Sequence, residues 1–196
     1  MGDFSYVSLA SIKSDIEAAF PAKIGDKYKA LRLQSRYHIK TMGATSDTEM
    51  VFFDAARAAG VNNNEKAGVL GNFYAVYRKL WFSLGKADAQ AAQLDLLKVK
   101  QGLEFQIFIG DYPVMWRTHA APWISALMDI GGMAALTTSS TEVDVYQASD
   151  QIDTPPVYIP YQPNQAFEVK LFFKGTAPSA VCKLSCHMWG PEMKIK

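Results

Sequence analysis

Apolar and polar positions alternate most cleanly toward the C-terminus. Phe167, Val169, Leu171 and Phe173 fall on one side of a two-residue period, with Glu168 and Lys170 on the other, which predicts a strand with one buried face. Leu103-Glu104-Phe105-Gln106-Ile107-Phe108-Ile109 alternates in the same way and runs into a turn at Asp111-Tyr112-Pro113, with Val114 to Arg117 continuing the sheet. Met50-Val51-Phe52-Phe53 reads as a compact strand, followed by a loop whose tip is Asn62-Asn63-Asn64. Residues 73–84 form one long aromatic run. As a single strand it sets Tyr74, Val76, Arg78, Leu80 and Phe82 on one face and Phe73, Ala75, Tyr77, Lys79 and Trp81 on the other. Both faces are largely apolar, so the strand is expected to be covered on both sides, in part by another subunit. Residues 155–160 read as an extended edge segment, turned by Pro163-Asn164 into the strand at 167–173. The alternating stretch 181–189 ends where Gly190-Pro191 is expected to bend the chain before a last short strand at 193–195.

A helical period replaces alternation in few places. Leu9, Ile12, Ile16 and Phe20 recur at three- and four-residue steps, and Pro21 stops the pattern, so 8–20 predicts a short amphipathic helix. It either packs on its own domain or forms an arm that reaches a neighbour or a membrane surface. Residues 87–99 are Ala-rich and predict an inserted helix with Ala91, Leu94 and Leu97 inward, ended by Gly102. Residues 122–128 suggest a further short helix, and Gly131-Gly132 opens a loose connection to 143–146. Between 23 and 40 lie Lys23, Lys27, Lys29, Arg32, Arg36 and Lys40 against Asp26 alone, interleaved with Tyr28, Tyr37 and His38. That pattern admits a nucleic-acid contact, but the charges are dispersed and Leu31, Leu33 and Ile39 give it the look of a solvated strand face. About eight strands with no strand–helix alternation predict a mainly β chain of two packed antiparallel sheets, with an N-terminal helix and one inserted helix. The organisation expected is an N-terminal helix and arm over 1–44 and a β domain over 45–196.

Composition agrees with one large domain: 196 residues, 49% hydrophobic and 12% aromatic, carry enough apolar material for a core. The net charge of +1, from 20 basic and 19 acidic side chains, gives no long-range field for nucleic acid or anionic lipid and suits packing against like copies. No apolar run approaches the ~20 residues of a spanning helix, and no leader pattern opens the chain, so cytoplasmic synthesis is expected. Cys182 and Cys186, about 13 Å apart along a strand, exceed the ~7 Å reach of a disulfide and are expected to be structural thiols. A zinc set of Cys182, Cys186 and His187 lacks a fourth ligand.

Catalytic patterns are missing. His38, His119 and His187 are scattered, and no nucleophile elbow, P-loop or dinucleotide fingerprint occurs. No cofactor or metal is therefore expected, and the chain is not read as an enzyme. Carboxylate pairs such as Asp144 with Asp150, or Glu104 with Glu168, are expected to face solvent rather than meet. His119 reads as a hydrogen-bonded loop residue. Trp116, Trp123 and Tyr161 form a platform on which a sugar or receptor could stack, in an alternative reading as a binding β-sandwich. Tyr74, Tyr77, Trp81, Trp116 and Trp123 are the candidate subunit-interface residues, and Leu9, Ile12, Ile16 and Phe20 the candidate N-terminal arm contact.

The order of these features resembles the single jelly-roll capsid proteins of tailless icosahedral bacteriophages, those with an internal membrane or a small DNA genome in particular. Thr-Glu-Met-Val-Phe-Phe (48–53), the Asn-rich loop, Gly68-Val69-Leu70 before the aromatic run, Gly-Leu-Glu-Phe-Gln-Ile-Phe-Ile-Gly-Asp-Tyr-Pro (102–113), and Val-Tyr-Ile-Pro (157–160) leading into Phe-Glu-Val-Lys-Leu (167–171) carry it. It covers roughly 45–190 and leaves the first 40 residues unmatched. The resemblance implies a jelly-roll shell subunit located in the virion. Its copies would form trimers or pseudo-hexamers beside other capsid proteins, and its N-terminal arm would be free to meet an internal membrane or the genome.

Overall fold

The computed structural model describes residues 9–21, 28–42, 49–86, 102–124, 155–174 and 182–195. Among them are one α-helix, α1 (Leu9–Ala19), and nine strands: β1 (Tyr28–Met42), β2 (Glu49–Phe52), β3 (Tyr74–Tyr77), β4 (Lys79–Lys86), β5 (Leu103–Ile109), β6 (Tyr112–His119), β7 (Ile159–Tyr161), β8 (Phe167–Phe173) and β9 (Cys182–Ile195). They make two antiparallel sheets. Sheet A runs β1-β9-β3-β7, with β4 also on β9, and sheet B runs β2-β8-β5-β6. The mainly β, two-sheet expectation is met. β5 and β8 alternate buried and half-buried residues along their whole length, as their two-residue period requires. Their inward side chains pack with Phe52, Phe82, Leu184, Cys186 and Met188 into one core between the sheets. Sheet A also takes in β1, which lies within the stretch read as an arm. The inserted helix expected at 87–99 and the segment at 143–146 lie outside the described residues. Of the helix expected at 122–128, the described part is a 3-10 turn, Ala121–Trp123.

The aromatic run is two strands, not one. Arg78 interrupts it: its N–H donates to Trp189 O, its C=O accepts from Val157 N–H, and pairing with β9 resumes at Lys79. The break shifts the alternation by one residue. Phe73, Ala75 and Tyr77 point into the core before it, and Leu80 and Phe82 after it, so the face expected for Leu80 and Phe82 is corrected. Tyr74 and Val76 turn to the outer side of sheet A. There the chain's own helix covers them: Ile16 and Phe20 pack with Tyr74, Val76 and Met193 in a second cluster, and Arg78 holds Asp15 of α1 at 2.8 Å.

β9 is also longer than expected. It continues through Gly190-Pro191 as one strand, and its inward residues keep one parity from Leu184 to Glu192. Gly190 allows this because Val76 O lies 2.2 Å from where its Cβ would be. Pro191 sits where β9's neighbour changes from β4 to β3, so its missing N–H falls at a gap in the ladder. Gly190→Ala is expected to destabilise the chain by about 2–3 kcal/mol, because a backbone oxygen cannot step aside as a side chain can. A urea unfolding curve measures this, and a change below about 0.5 kcal/mol would contradict the close approach.

The Asn run is not an exposed loop tip. Asn62 and Asn64 are buried, and the loop between β2 and β3 folds back along β1. Ile39 N–H donates to Val61 O, Tyr37 N–H to Asn63 Oδ1, and Asn63 Nδ2 to Ser35 O. Thus the free edge of sheet A at β1 is covered by the chain itself.

Candidate functional site

Beneath that loop the inward face of β1 is polar, unlike the rest of the interior. Arg36 and Glu192 are both buried, and Glu192 Oε1 accepts from Arg36 Nε at 2.6 Å and from the Tyr77 hydroxyl at 2.9 Å. Glu192 Oε2 accepts from Arg36 Nη2 at 2.8 Å and from Arg32 Nε and Nη2. Arg36 also donates Nη1 to Asn63 O and lies over the Phe73 ring. Burial pulls the Arg36 guanidinium down, but the hydrogen bonds and charge of Glu192 outweigh it and hold the group above its ordinary value. Burial and the Glu192 charge push the Tyr77 phenol well up. The cluster is therefore a hydrogen-bonded ionic brace between β1, β3 and β9.

Two histidines are buried in sheet A. His38 accepts the Phe53 N–H on Nδ1 at 2.7 Å and packs edge-on to Phe52 and Phe53. Burial, then Lys40, lowers it to about 4. His187 is sandwiched between Trp81, 5.0 Å away and nearly parallel, and Tyr37, and burial lowers it to about 4. Cys186, its neighbour in β9, points the other way into the core as a free thiol whose pKa burial raises. The two residues cannot share a metal. Among the described residues no three His, Cys, Asp or Glu side chains gather as metal ligands. Glu104 bonds Arg117 and Lys174 while Glu168 faces Lys170. Their register partners on β5 and β8 stand four residues apart, about 13 Å, so they do not form a catalytic pair.

Among the described residues, the largest group of exposed apolar side chains lies on β6, the last strand in the order of sheet B. Trp116 is 80% exposed, Tyr112 78%, and Val114 is exposed between them. Pairing of β6 with β5 slips twice, so Trp116 and Arg117 together face Gln106, and Val114 has no partner. These bulges and Pro113 prevent a neighbouring strand from extending the sheet across this edge. A partner would have to meet the side chains instead. The adjoining outer face of sheet B is charge-balanced: Arg117 pairs with Glu104 and lies over Phe172, and Lys170 reaches Glu49 and Phe108.

No family model, curated protein or solved structure matches this chain.

Of the five candidate interface residues, Trp116 alone is widely exposed. Tyr77 is fully buried and Tyr74 lies under α1, so neither offers a surface to a neighbour. Trp81 is half-buried on His187, and Trp123 is half-buried against Phe105. Tyr161 is buried, its hydroxyl bonded to Gly71, so Trp116, Trp123 and Tyr161 do not form one stacking platform. Ile16 and Phe20 are committed to the chain's own sheet, whereas the side chains of Leu9 and Ile12 lie outside the described residues. His119 is exposed and accepts Ala121 N–H at the end of β6. Sequence reasoning missed the Arg36–Glu192–Tyr77 brace and the exposure of Tyr112. The signal for the brace was available: Glu192 shares the parity of Leu184, Cys186 and Met188, and an acid on a core face requires a basic partner.

Proposed function

We propose that the sandwich is a single jelly roll and that the chain is a non-catalytic shell subunit of an icosahedral virion. It works by assembling with copies of itself into trimers or pseudo-hexamers, beside other capsid proteins. The nested pairing of the strands supports the jelly roll. The first strand pairs with the last (β1 with β9), β2 with β8, β3 with β7, and β5 with β6, as in one long hairpin folded over on itself. Double-sheet folds of this kind are used by viral shells and lectins. The observation that carries assembly is the Tyr112–Val114–Trp116 strip on a bulged edge strand, beside a face of balanced charge. An exposed Trp with an exposed Tyr on the same strand is the composition of an interface anchor. Any contact of the N-terminal segment with a membrane or genome falls to residues other than Ile16 and Phe20.

Sedimentation and electron microscopy of the concentrated protein test this reading. Regular capsomers or closed particles are expected, and Trp116→Ala should weaken assembly by at least about 2 kcal/mol, roughly thirtyfold, while leaving the melting temperature unchanged. A chain that stays monomeric at high concentration, or a Trp116→Ala variant that assembles as well as the parent, would remove the proposal.

A further inference from the structure

A polar cavity of about 430 Å3 opens at the covered edge of β1, lined by Arg32, Gln34, Arg36, Arg57, Asn63, Asn64 and Glu65. Two observations there are not explained by the sandwich alone. First, three arginines meet at one opening against the carboxylates of Glu192 and Glu65, which leaves one net positive charge. Second, the donors are unequally used. All three nitrogens of Arg36 are engaged by Glu192 and Asn63. Arg32 uses Nε and Nη2 on Glu192 and keeps Nη1, and Arg57 is exposed with no carboxylate partner among the described residues. Asn64 is fully buried: its Nδ2 donates to Phe53 O and Ala55 O, and its Oδ1 is closed off from the cavity, so the free donors are those of Arg32 and Arg57.

We propose that this cavity binds a phosphate monoester group or free phosphate as its monoanion. The guanidinium forks of Arg32 and Arg57 suit the anionic oxygens. One negative charge matches the one net positive charge of the site, and Glu65 at the rim disfavours a second. The inference does not depend on the shell reading.

Calorimetric titration of the full chain at pH 6, where inorganic phosphate is mainly the monoanion and a monoester, with its second pKa of about 6, is about half so, tests it with inorganic phosphate, a nucleoside 5′-monophosphate and sulfate at matched ionic strength. One saturable site per chain is expected for phosphate, with sulfate at least about tenfold weaker because its second charge exceeds the one net positive charge of the site. Arg57→Ala should weaken phosphate binding at least about tenfold, and Arg57→Lys by less, with melting temperatures unchanged. Tighter binding of the monophosphate than of inorganic phosphate assigns the site to an ester, and equal binding assigns it to free phosphate. Sulfate binding as tightly as phosphate, an unaffected Arg57→Ala, or no saturable phosphate binding overturns the proposal.

Discussion

Glu192→Gln should cost the chain about 3–5 kcal/mol of unfolding free energy, the range expected when one partner of a buried ion pair is removed. The reason is what the substitution leaves behind. Glu192 is 1% exposed and is the acceptor for Arg36 Nε and Nη2, for Arg32 and for the Tyr77 hydroxyl. An amide in its place keeps the volume, yet it strands the Arg36 charge among Phe73, Tyr77 and Asn63 with no carboxylate. It also turns an NH2 toward donors. The double variant Arg36→Met with Glu192→Gln removes the stranded charge and should recover much of the loss. Chemical denaturation of both single variants and the double measures the coupling. A Glu192→Gln loss below about 1 kcal/mol would mean that Arg36 reaches water and that the brace is not buried.

Acid should weaken the fold well before carboxylates titrate. His38 and His187 stay neutral in the folded chain down to about 4, against an ordinary value near 6.5. Between those values the unfolded chain binds protons that the folded chain refuses, so stability falls as pH falls from about 6.5 to about 4. Above that window the two groups contribute in full, and below it they take away nothing further. The loss is on the order of 3 kcal/mol for His187 and less for His38, which lies beside Asp54 near the surface. The causes differ in kind. Protonated His38 can no longer accept the Phe53 N–H, and protonated His187 carries its charge into the gap between Trp81 and Tyr37. Glu104, held low by Arg117, loses its contribution only below the ordinary carboxylate range, so its effect separates by pH. Unfolding free energies between pH 7.5 and 4.5 read the slope directly. A flat profile from pH 6.5 to 5 would show that neither ring is kept from protons.

The sequence by itself determined those elements whose burial is decided by one neighbour on one face. β5 and β8 follow their period of two because the core lies on a single side of sheet B, and every second residue must enter it. Only the tertiary structure decided what depends on contacts between distant residues. Arg78 shifts the alternation of the aromatic run because Trp189 O and Val157 N–H lie on either side of it. Arg36 turns from an apparent solvent-facing charge into a buried one because Glu192 lies 156 residues away in sequence and beside it in the sheet. The aromatic residues read as an interface divided for the same reason. Tyr74 and Tyr77 are taken up by α1 and by Glu192, and Trp116 remains outside because β6 is an edge strand with nothing beyond it among the described residues. Periodicity records that a side chain is apolar. Which surface covers it is settled by the order of the strands.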